Sequence, residues 1–455
     1  MKKQISHFIY NIMIITLICG VADAQGASVQ DASHQQPSTE SDIRVVVPAV
    51  LSEAQVTQWM AQDPRWRLIV HQQSADTEAA KLQSISPYEW NLSYSQQTRR
   101  YSDPVAQPRS NEWSVELERS IRLPNKAMQD ERIATAMNQA SGAKAVQARQ
   151  ALMLQLFDDY LQWSLASSQR ELMQAQVAFA EKNYAFMQKR FAAGDVAAMD
   201  VQLADANVKE LQAQLFNADS QATQWQQLFQ SCYAGLGVSV TNALPEPQAL
   251  EPTLLWWQAR ILALDPSLQQ AEAEWKTSQA QAEKASADRV PDPTLALFSS
   301  SESYGQERIN GVRVSIPLPG SKRSTQYRKQ LQEASVARDN RDMVRRDLNA
   351  QVAQEFHQAQ SGFLRWQAAQ TAAQVSQRNL QLWQKAFQLG EKDFTSLLQI
   401  QSQTVSSLEQ EKTLRAQVLL AQLQLIVHAQ GLWPQVQGML VGAATPSTNS
   451  LISEK

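Results

Sequence analysis

Met187-Gln-Lys-Arg-Phe-Ala-Ala-Gly-Asp-Val-Ala-Ala-Met-Asp-Val-Gln-Leu-Ala-Asp-Ala206 reads as the end of one helix, a tight tip and the start of another. Upstream, from about Asn125, the chain holds no Pro and one Gly, Gly142, and is rich in Ala, Gln, Leu, Met, Glu and Arg. That composition favours helix at nearly every position, and a continuous helix from Asn125 to Ala193 spans roughly 100 Å at about 1.5 Å per residue. Gly194-Asp195 supplies a stop and a fresh start, Gly as the left-handed terminator and Asp as an N-cap. A second helix is expected from about Val196 to Tyr233. Two long antiparallel helices therefore meet at a tight tip.

The pattern returns in the second half. Phe387-Gln-Leu-Gly390-Glu391 repeats Phe191-Ala-Ala-Gly194-Asp195 at an offset of 196 residues (387 − 191). Gly431-Leu432 ends the following helix as Gly235-Leu236 ends the first, at the same offset. Two landmarks in register over that distance indicate an internal duplication.

A net charge of −3 and a pI near 6.0 give no bulk attraction to nucleic acid. Residues 1–24 read as a secretory signal: Lys2-Lys3, a mostly apolar stretch from Ile9 to Ile18, then Ala22-Asp23-Ala24 before Gln25. A lipoprotein signal through Cys19 is the rival, but Ile18 stands where that signal needs a small residue. After cleavage Cys232 stands alone, so no intramolecular disulfide can form. No other apolar run approaches the ~20 residues of a membrane helix. The expected product is exported.

Polar residues 25–44 read as a disordered lead-in. The first repeat covers 45–244, a linker marked by Pro245, Pro247 and Pro252 covers 245–253, the second repeat covers 254–434, and a short irregular tail covers 435–455. Helices are expected at Ser52–Ala61 and Pro64–Gln83, broken at Asp63-Pro64, and Asp265-Pro266 echoes that break after Leu254–Leu264. The period then changes. Tyr88, Trp90, Leu92 and Tyr94 alternate with Glu89, Asn91, Ser93 and Ser95; after a turn around Asp103-Pro104 and Pro108, Trp113, Val115, Leu117, Ile121 and Leu123 alternate with polar residues, Arg119 being the one break. This is a hairpin with one apolar and one polar face. In the second half Pro293–Ser299 pairs with a strand carrying Val312, Val314, Ile316 and Leu318, and Leu318-Pro319 closes it as Leu123-Pro124 closes the first. The fold class is mainly α with a small β part, a duplicated helix–β-hairpin–long helical hairpin.

The flanking helices are polar and offer no broad apolar face to cover such a sheet, so an exported chain with these strands fits an outer-membrane β-barrel, lipid outside and water inside. One chain supplies only four strands, and an open sheet edge is excluded from lipid by its unpaired backbone groups. Closure therefore requires several copies, with eight strands for a dimer and twelve for a trimer. On this reading Tyr88, Trp90, Leu92, Tyr94, Trp113, Val115, Leu117, Val312, Val314 and Ile316 face lipid. The 43% hydrophobic content suits a helical tube wetted on both sides.

The ordered set of duplicated hairpins, Phe-x-x-Gly tips, Asp265-Pro266 and Leu-Pro exits resembles the TolC-type outer-membrane efflux family across about residues 45–434. The resemblance implies a homotrimer with a twelve-stranded barrel in the outer membrane, continuous with an α-helical tunnel in the periplasm. It implies a periplasmic adaptor (membrane fusion) protein docked at the helix tips and an inner-membrane pump, proton-driven, behind it. Compact size and short hairpin loops look closer to the heavy-metal-efflux subgroup. The same architecture serving protein secretion, or a soluble periplasmic coiled-coil scaffold, are the alternatives.

For docking the candidates are Phe191, Gly194, Asp195 and Met199 at the first tip, with Phe387, Gly390, Glu391 and Leu397 at the second. Ordinary helix-turn chemistry explains the same residues without a partner. The resemblance places a gate of acidic residues after the second Gly, where this chain has Ser396 and Gln399; Asp200 and Asp393 are the nearest carboxylates, and a three-fold ring of such groups attracts cations. Acids also suit an ordinary helix start. The five histidines show no i, i+4 pair, so no metal site and no cofactor are expected, and no constellation supports an enzyme.

Overall fold

Helix starts show how closely local chemistry sets this architecture. Ser52 caps α1 (Glu53–Gln62) in a reciprocal box, its hydroxyl accepting from Gln55 N at 3.3 Å while Ser52 N donates to Gln55 Oε1 at 3.0 Å. Asp63 caps α2 (Pro64–Ser84), accepting from Arg65 N at 2.7 Å, with Pro64 in the first turn where its missing N–H costs nothing. Asp265 repeats that role for α6 (Pro266–Ala287), accepting from Ser267 N at 2.8 Å and Leu268 N at 3.1 Å. The computed structural model describes residues 48, 50–100, 109–233, 236, 244–251 and 253–441, all within the unit Arg44–Lys455. The signal segment with Cys19, the lead-in 25–44, the turn at Asp103-Pro104 and Pro108, Gly235, expected to end the helix after the first tip, and residues 442–455 lie outside the described residues.

Between these caps run β1 (Asn91–Arg100), β2 (Arg109–Ser120), the 69-residue α3 (Pro124–Ala192), α4 (Ala198–Cys232) and α5 (Leu254–Leu264). After α6 come β3 (Thr294–Glu302), β4 (Glu307–Ser315), the 68-residue α7 (Ser321–Gln388), α8 (Phe394–His428) and α9 (Pro434–Val441). The protein is mostly helical with a small strand part, and among the described residues no helix is long and apolar enough to cross a membrane.

Three boundaries differ from the sequence reading. β1 begins at Asn91, so Tyr88 and Trp90 precede it, and Ile316 follows the end of β4. The residues from Pro434 are not irregular: α9 buries Val436 and Leu440 and packs on α1, where Gln435 N donates to Glu53 Oε1 at 2.9 Å. The second Leu-Pro exit is looser than the first, since α3 starts on Pro124 whereas α7 starts at Ser321 with Gly320 as its N-cap.

The two hairpins join in one antiparallel sheet of order β1-β2-β3-β4, leaving β1 and β4 as edges. The register stacks like on like. Leu92, Leu117, Leu297 and Val312 form one row across all four strands, and Tyr94 lies opposite Val115. The other face pairs Asn91 with Glu118 (2.9 Å), Ser95 with Ser114 (2.8 Å) and Arg313 with Glu116 (2.7 Å).

The helices pack pairwise along their length, α3 on α4 and α7 on α8, with α3 also against α8 and α6. Small residues of α3 such as Ala134, Ala136, Ala143 and Ala145 are buried near the sheet, where short side chains let backbones approach. The large core lies further along, where α1, α5 and α9 wrap the long helices: Trp59, Met60, Leu156, Phe157, Trp257, Ile261 and Leu423 are all at most 1% exposed. Trp256 and Trp257 cross edge-on at 5.1 Å, and Trp257 belongs to this core.

Candidate functional site

The two tips end their helices identically at the backbone. Gly194 N donates to Phe191 O (2.9 Å) and Asp195 N to Arg190 O (2.9 Å); Gly390 N donates to Phe387 O (3.0 Å) and Glu391 N to Ala386 O (2.9 Å). Both glycines are left-handed, at φ 81° and 78°, as this closure requires. Nothing lies within 4 Å of a Cβ built on either glycine, so the demand there is conformational rather than steric.

Asp195 is not an N-cap. It is the second residue past the C-cap Ala193, and α4 starts three residues later at Ala198 behind Ala197, whose N–H donates to Asp200 Oδ2 at 3.3 Å. In the second repeat the N-cap is Asp393, which accepts Ser396 N at 2.8 Å and the Ser396 hydroxyl at 2.7 Å. These hydrogen bonds from Ser396 hold the Asp393 carboxyl below its usual range. Of the four gate candidates, Asp393 and Ser396 are thus engaged with each other, Asp200 is half-buried against its own helix start, and Gln399 is exposed.

Side chains break the symmetry that the backbone keeps. Phe387 is 2% exposed, edge-on to Phe186 at 5.7 Å and 5.5 Å from Phe394, and Leu397 is fully buried beside them with Met187 and Ala204. Phe191 is 49% exposed and Met199 74%, and Leu389, which the sequence reading did not single out, is 75% exposed. The structure therefore brings both hairpins into one tip unit with a shared core. Phe387 and Leu397, expected as docking contacts, are instead its interior. The apolar surface is offered by Phe191, Met199 and Leu389, with Gly194, Asp195, Gly390 and Glu391 exposed among them. Part of the reason lies at the helix starts: the second repeat has Phe394 where the first has Ala198, which builds a pocket for Phe387.

At the opposite end of the helices lies a charged cluster that the sequence reading missed. Arg122 Nη2 meets Asp130 Oδ2 at 2.6 Å and its Nη1 meets Asp292 Oδ2 at 3.2 Å. Lys126, 1% exposed, meets Asp292 at 3.0 Å and Asp288 at 3.2 Å, and Lys284 meets Asp130 at 2.7 Å. The Tyr88 hydroxyl donates to Asp292 Oδ2 at 2.8 Å and Leu123 N to Asp292 Oδ1 at 3.1 Å. Three cations balance three carboxylates where the strands become helices. Tyr88, expected to face lipid, is held by this cluster. Arg122, just before α3, and Lys126 and Asp130 in its first turns recur every four residues, but the other two acids of the cluster, Asp288 and Asp292, are more than 150 residues away. Arg119, the break in the alternation of β2, donates to Tyr88 O at 3.3 Å and lies 5.4 Å from the Trp90 ring.

Outward exposure of the sheet is large: Trp90 60%, Leu92 68%, Tyr94 64%, Val312 65%, Val314 62% and Ile316 60%, with Trp113 at 39% and Val115 and Leu117 half-buried. A contiguous apolar belt of this kind needs a covering phase. Among the described residues no group of three or more His, Cys, Asp or Glu is placed to hold a metal ion.

Comparison with known proteins gives the context. The family model described as outer membrane efflux protein matches residues 89–232 and 257–428. No curated protein matches the chain. Among solved structures, the outer membrane protein VceC of Vibrio cholerae is 16% identical with a TM-score of 0.68, over 83% of this chain and 95% of that one. The Campylobacter jejuni CmeC outer membrane channel is 13% identical with a TM-score of 0.65, over 90% and 94%. The open state of the Neisseria gonorrhoeae MtrE outer membrane channel is 15% identical with a TM-score of 0.65, over 90% and 97%. At these identities the likeness is one of fold.

Proposed function

This chain belongs to the outer membrane efflux protein family, and from that premise we propose that it is the exit channel of a tripartite efflux system, assembled from three copies. It is an outer-membrane channel protein with a large periplasmic helical part, and it is not an enzyme. The observation that carries the finer reading is the sheet: four strands, two unpaired edges and an exposed apolar face cannot rest in lipid alone. Three such sheets joined β4 to β1 give a twelve-stranded barrel whose polar face, lined by Asn91, Ser95, Glu116 and Arg313, surrounds water.

The tips supply the partner surface. Phe191, Met199 and Leu389 present apolar side chains around exposed Asp195 and Glu391, a surface suited to the helical hairpin of a periplasmic adaptor, which connects the channel to an inner-membrane pump, proton-driven, that supplies the energy. Asp200 and Gln399 are the groups left to line a gate at this end. Small solutes, metal cations or drugs, are the cargo. A soluble scaffold is set aside by the family's outer-membrane location; protein secretion stays the rival duct.

Detergent extraction followed by native mass spectrometry tests the assembly. A trimer that needs detergent is expected, and a soluble monomer overturns the reading. Cargo is read from growth of a deletion strain and its complemented partner on divalent and monovalent metal salts and on organic drugs and dyes. Sensitisation to metals alone assigns metal efflux, and sensitisation to organic compounds assigns a multidrug duct.

A further inference from the structure

Toward the hairpin turns the outward face of the sheet changes from apolar to basic. Leu92 and Tyr94 on β1, Trp113, Val115 and Leu117 on β2 and Val312 on β4 form the apolar belt. On the same face, four residues beyond Trp113, Arg109 stands directly opposite Arg100 across the β1–β2 ladder, about 14 Å further along the strand at roughly 3.4 Å per residue. Arg308 lies on this face too, in the row that links Trp113 through Ser301 to β4.

Two observations make these arginines unusual. Like charges directly opposite one another destabilise a ladder, yet Arg100 and Arg109 are such a pair. The inward-facing arginines are matched by acids, Arg99 with Glu112 (3.2 Å) and Glu302 (3.5 Å) and Arg313 with Glu116 (2.7 Å). Arg100, Arg109 and Arg308 are exposed, and none makes an ion pair with a carboxylate of the described residues. The face that carries them is the one turned to the surroundings, so an anion from outside the chain can reach them.

We infer that Arg100, Arg109 and Arg308 form a binding site for the phosphate groups of the phosphorylated glycolipid of the outer leaflet, lipid A. The inference rests on the barrel proposed above, which puts the helices in the periplasm and the strand turns outside. In that setting Tyr94 and Trp113 mark the upper margin of the belt, where aromatic side chains meet headgroups; Arg308 stands in the Trp113 row at that margin and Arg100 and Arg109 follow at headgroup level. Guanidinium forks match phosphate oxygens two at a time, which an ammonium cannot do. A bound phosphate between Arg100 and Arg109 turns a repulsive pair into a clamp.

The test uses the full-length protein in neutral detergent, titrated by native mass spectrometry with bisphosphorylated lipid A, dephosphorylated lipid A and phosphatidylglycerol. Each arginine at an anionic surface contributes roughly fivefold, so R100Q/R109Q/R308Q is expected to bind bisphosphorylated lipid A about a hundredfold more weakly. The unaltered protein is expected to lose a similar factor when the phosphates are removed from the lipid. Equal binding by the variant and the unaltered protein overturns the site. Phosphatidylglycerol binding as tight as that of bisphosphorylated lipid A overturns the glycolipid assignment. The mass of the protein itself separates the two readings: an intact trimer with unselective lipid binding sinks the site alone, whereas a detergent-independent monomer sinks the channel.

Discussion

Phe191 and Phe387 stand 196 residues apart at matching turns (387 − 191), yet one faces solvent and the other is enclosed. Burial decides what each can do. Phe387→Ala removes a ring from a packed core and is expected to cost about 3–5 kcal/mol locally, read as earlier protease cleavage at the tip. Phe191→Asp removes no core contact; it is expected to leave melting and trimer mass unchanged while cutting adaptor cross-linking and export. Loss of stability in the Phe191 variant would show that the ring is structural. A second residue-scale effect is electrostatic. His428 Nδ1 lies 3.0 Å from Glu355 Oε2 in a mostly buried setting. Burial disfavours the charged imidazole, but the hydrogen bond and charge of Glu355 outweigh it and leave the His428 pKa above its ordinary 6.5. Burial likewise pushes the Glu355 carboxyl up, and His428 outweighs it, holding that pKa below 4.5. The histidine's contribution is complete below 6.5 and is lost as pH rises through its raised folded value. The carboxylate's contribution is complete above 4.5 and is lost as pH falls through its lowered folded value. The pair therefore stabilises most between these limits, by roughly 1–2 kcal/mol for a charged hydrogen bond. Thermal melts of His428→Gln are expected to lose the decline that the unaltered protein shows from pH 6 to 8.

Elements meet at two contrasting joints. At the tips the backbone itself makes the joint: a left-handed Gly and two backbone hydrogen bonds turn a 69-residue helix without a large side chain. At the sheet the joint is ionic. Asp292 accepts from Tyr88, Arg122, Lys126 and Leu123 N, so one carboxylate ties the approach to β1, the end of β2 and the first turn of α3 to the approach to β3. Removing one partner of a buried ion pair leaves the others uncompensated, at a cost of about 3–5 kcal/mol. Asp292→Asn keeps the shape and is expected to lower the temperature at which the trimer dissociates on a heat-modifiability gel. An unchanged transition would mean that water replaces the lost charge.

At the scale of the whole molecule the unpaired edges of β1 and β4 are the governing feature. A backbone edge in hydrocarbon leaves donors and acceptors without partners at several kcal/mol each, which no side chain of the same sheet can relieve. Cys232 is the sole cysteine among the described residues and is exposed, so a Cys232→Ser background gives a clean test. Single cysteines scanned along β1 at 93, 95 and 97, each combined with one along β4 at 309, 311 or 313, are expected to yield disulfide-linked trimers for at least one register. Cross-links confined to dimers would require a different closure.

Local stereochemistry was legible in the sequence. Asp-Pro starts, Gly ends and the change of period from 3.6 to 2 each depend on residues within a few positions of one another, so the duplicated helix–hairpin–helix order, the long helices and the tips could all be read directly. The assignment of Asp195 as a cap failed within that same range, because the turn runs two residues further before α4 begins. Only the tertiary structure decided which Phe is enclosed, that β2 pairs with β3, and that Arg122 and Lys126 find Asp288 and Asp292. Burial and ion pairing are fixed by what other elements bring to a position, and those partners lie more than 150 residues away along the chain.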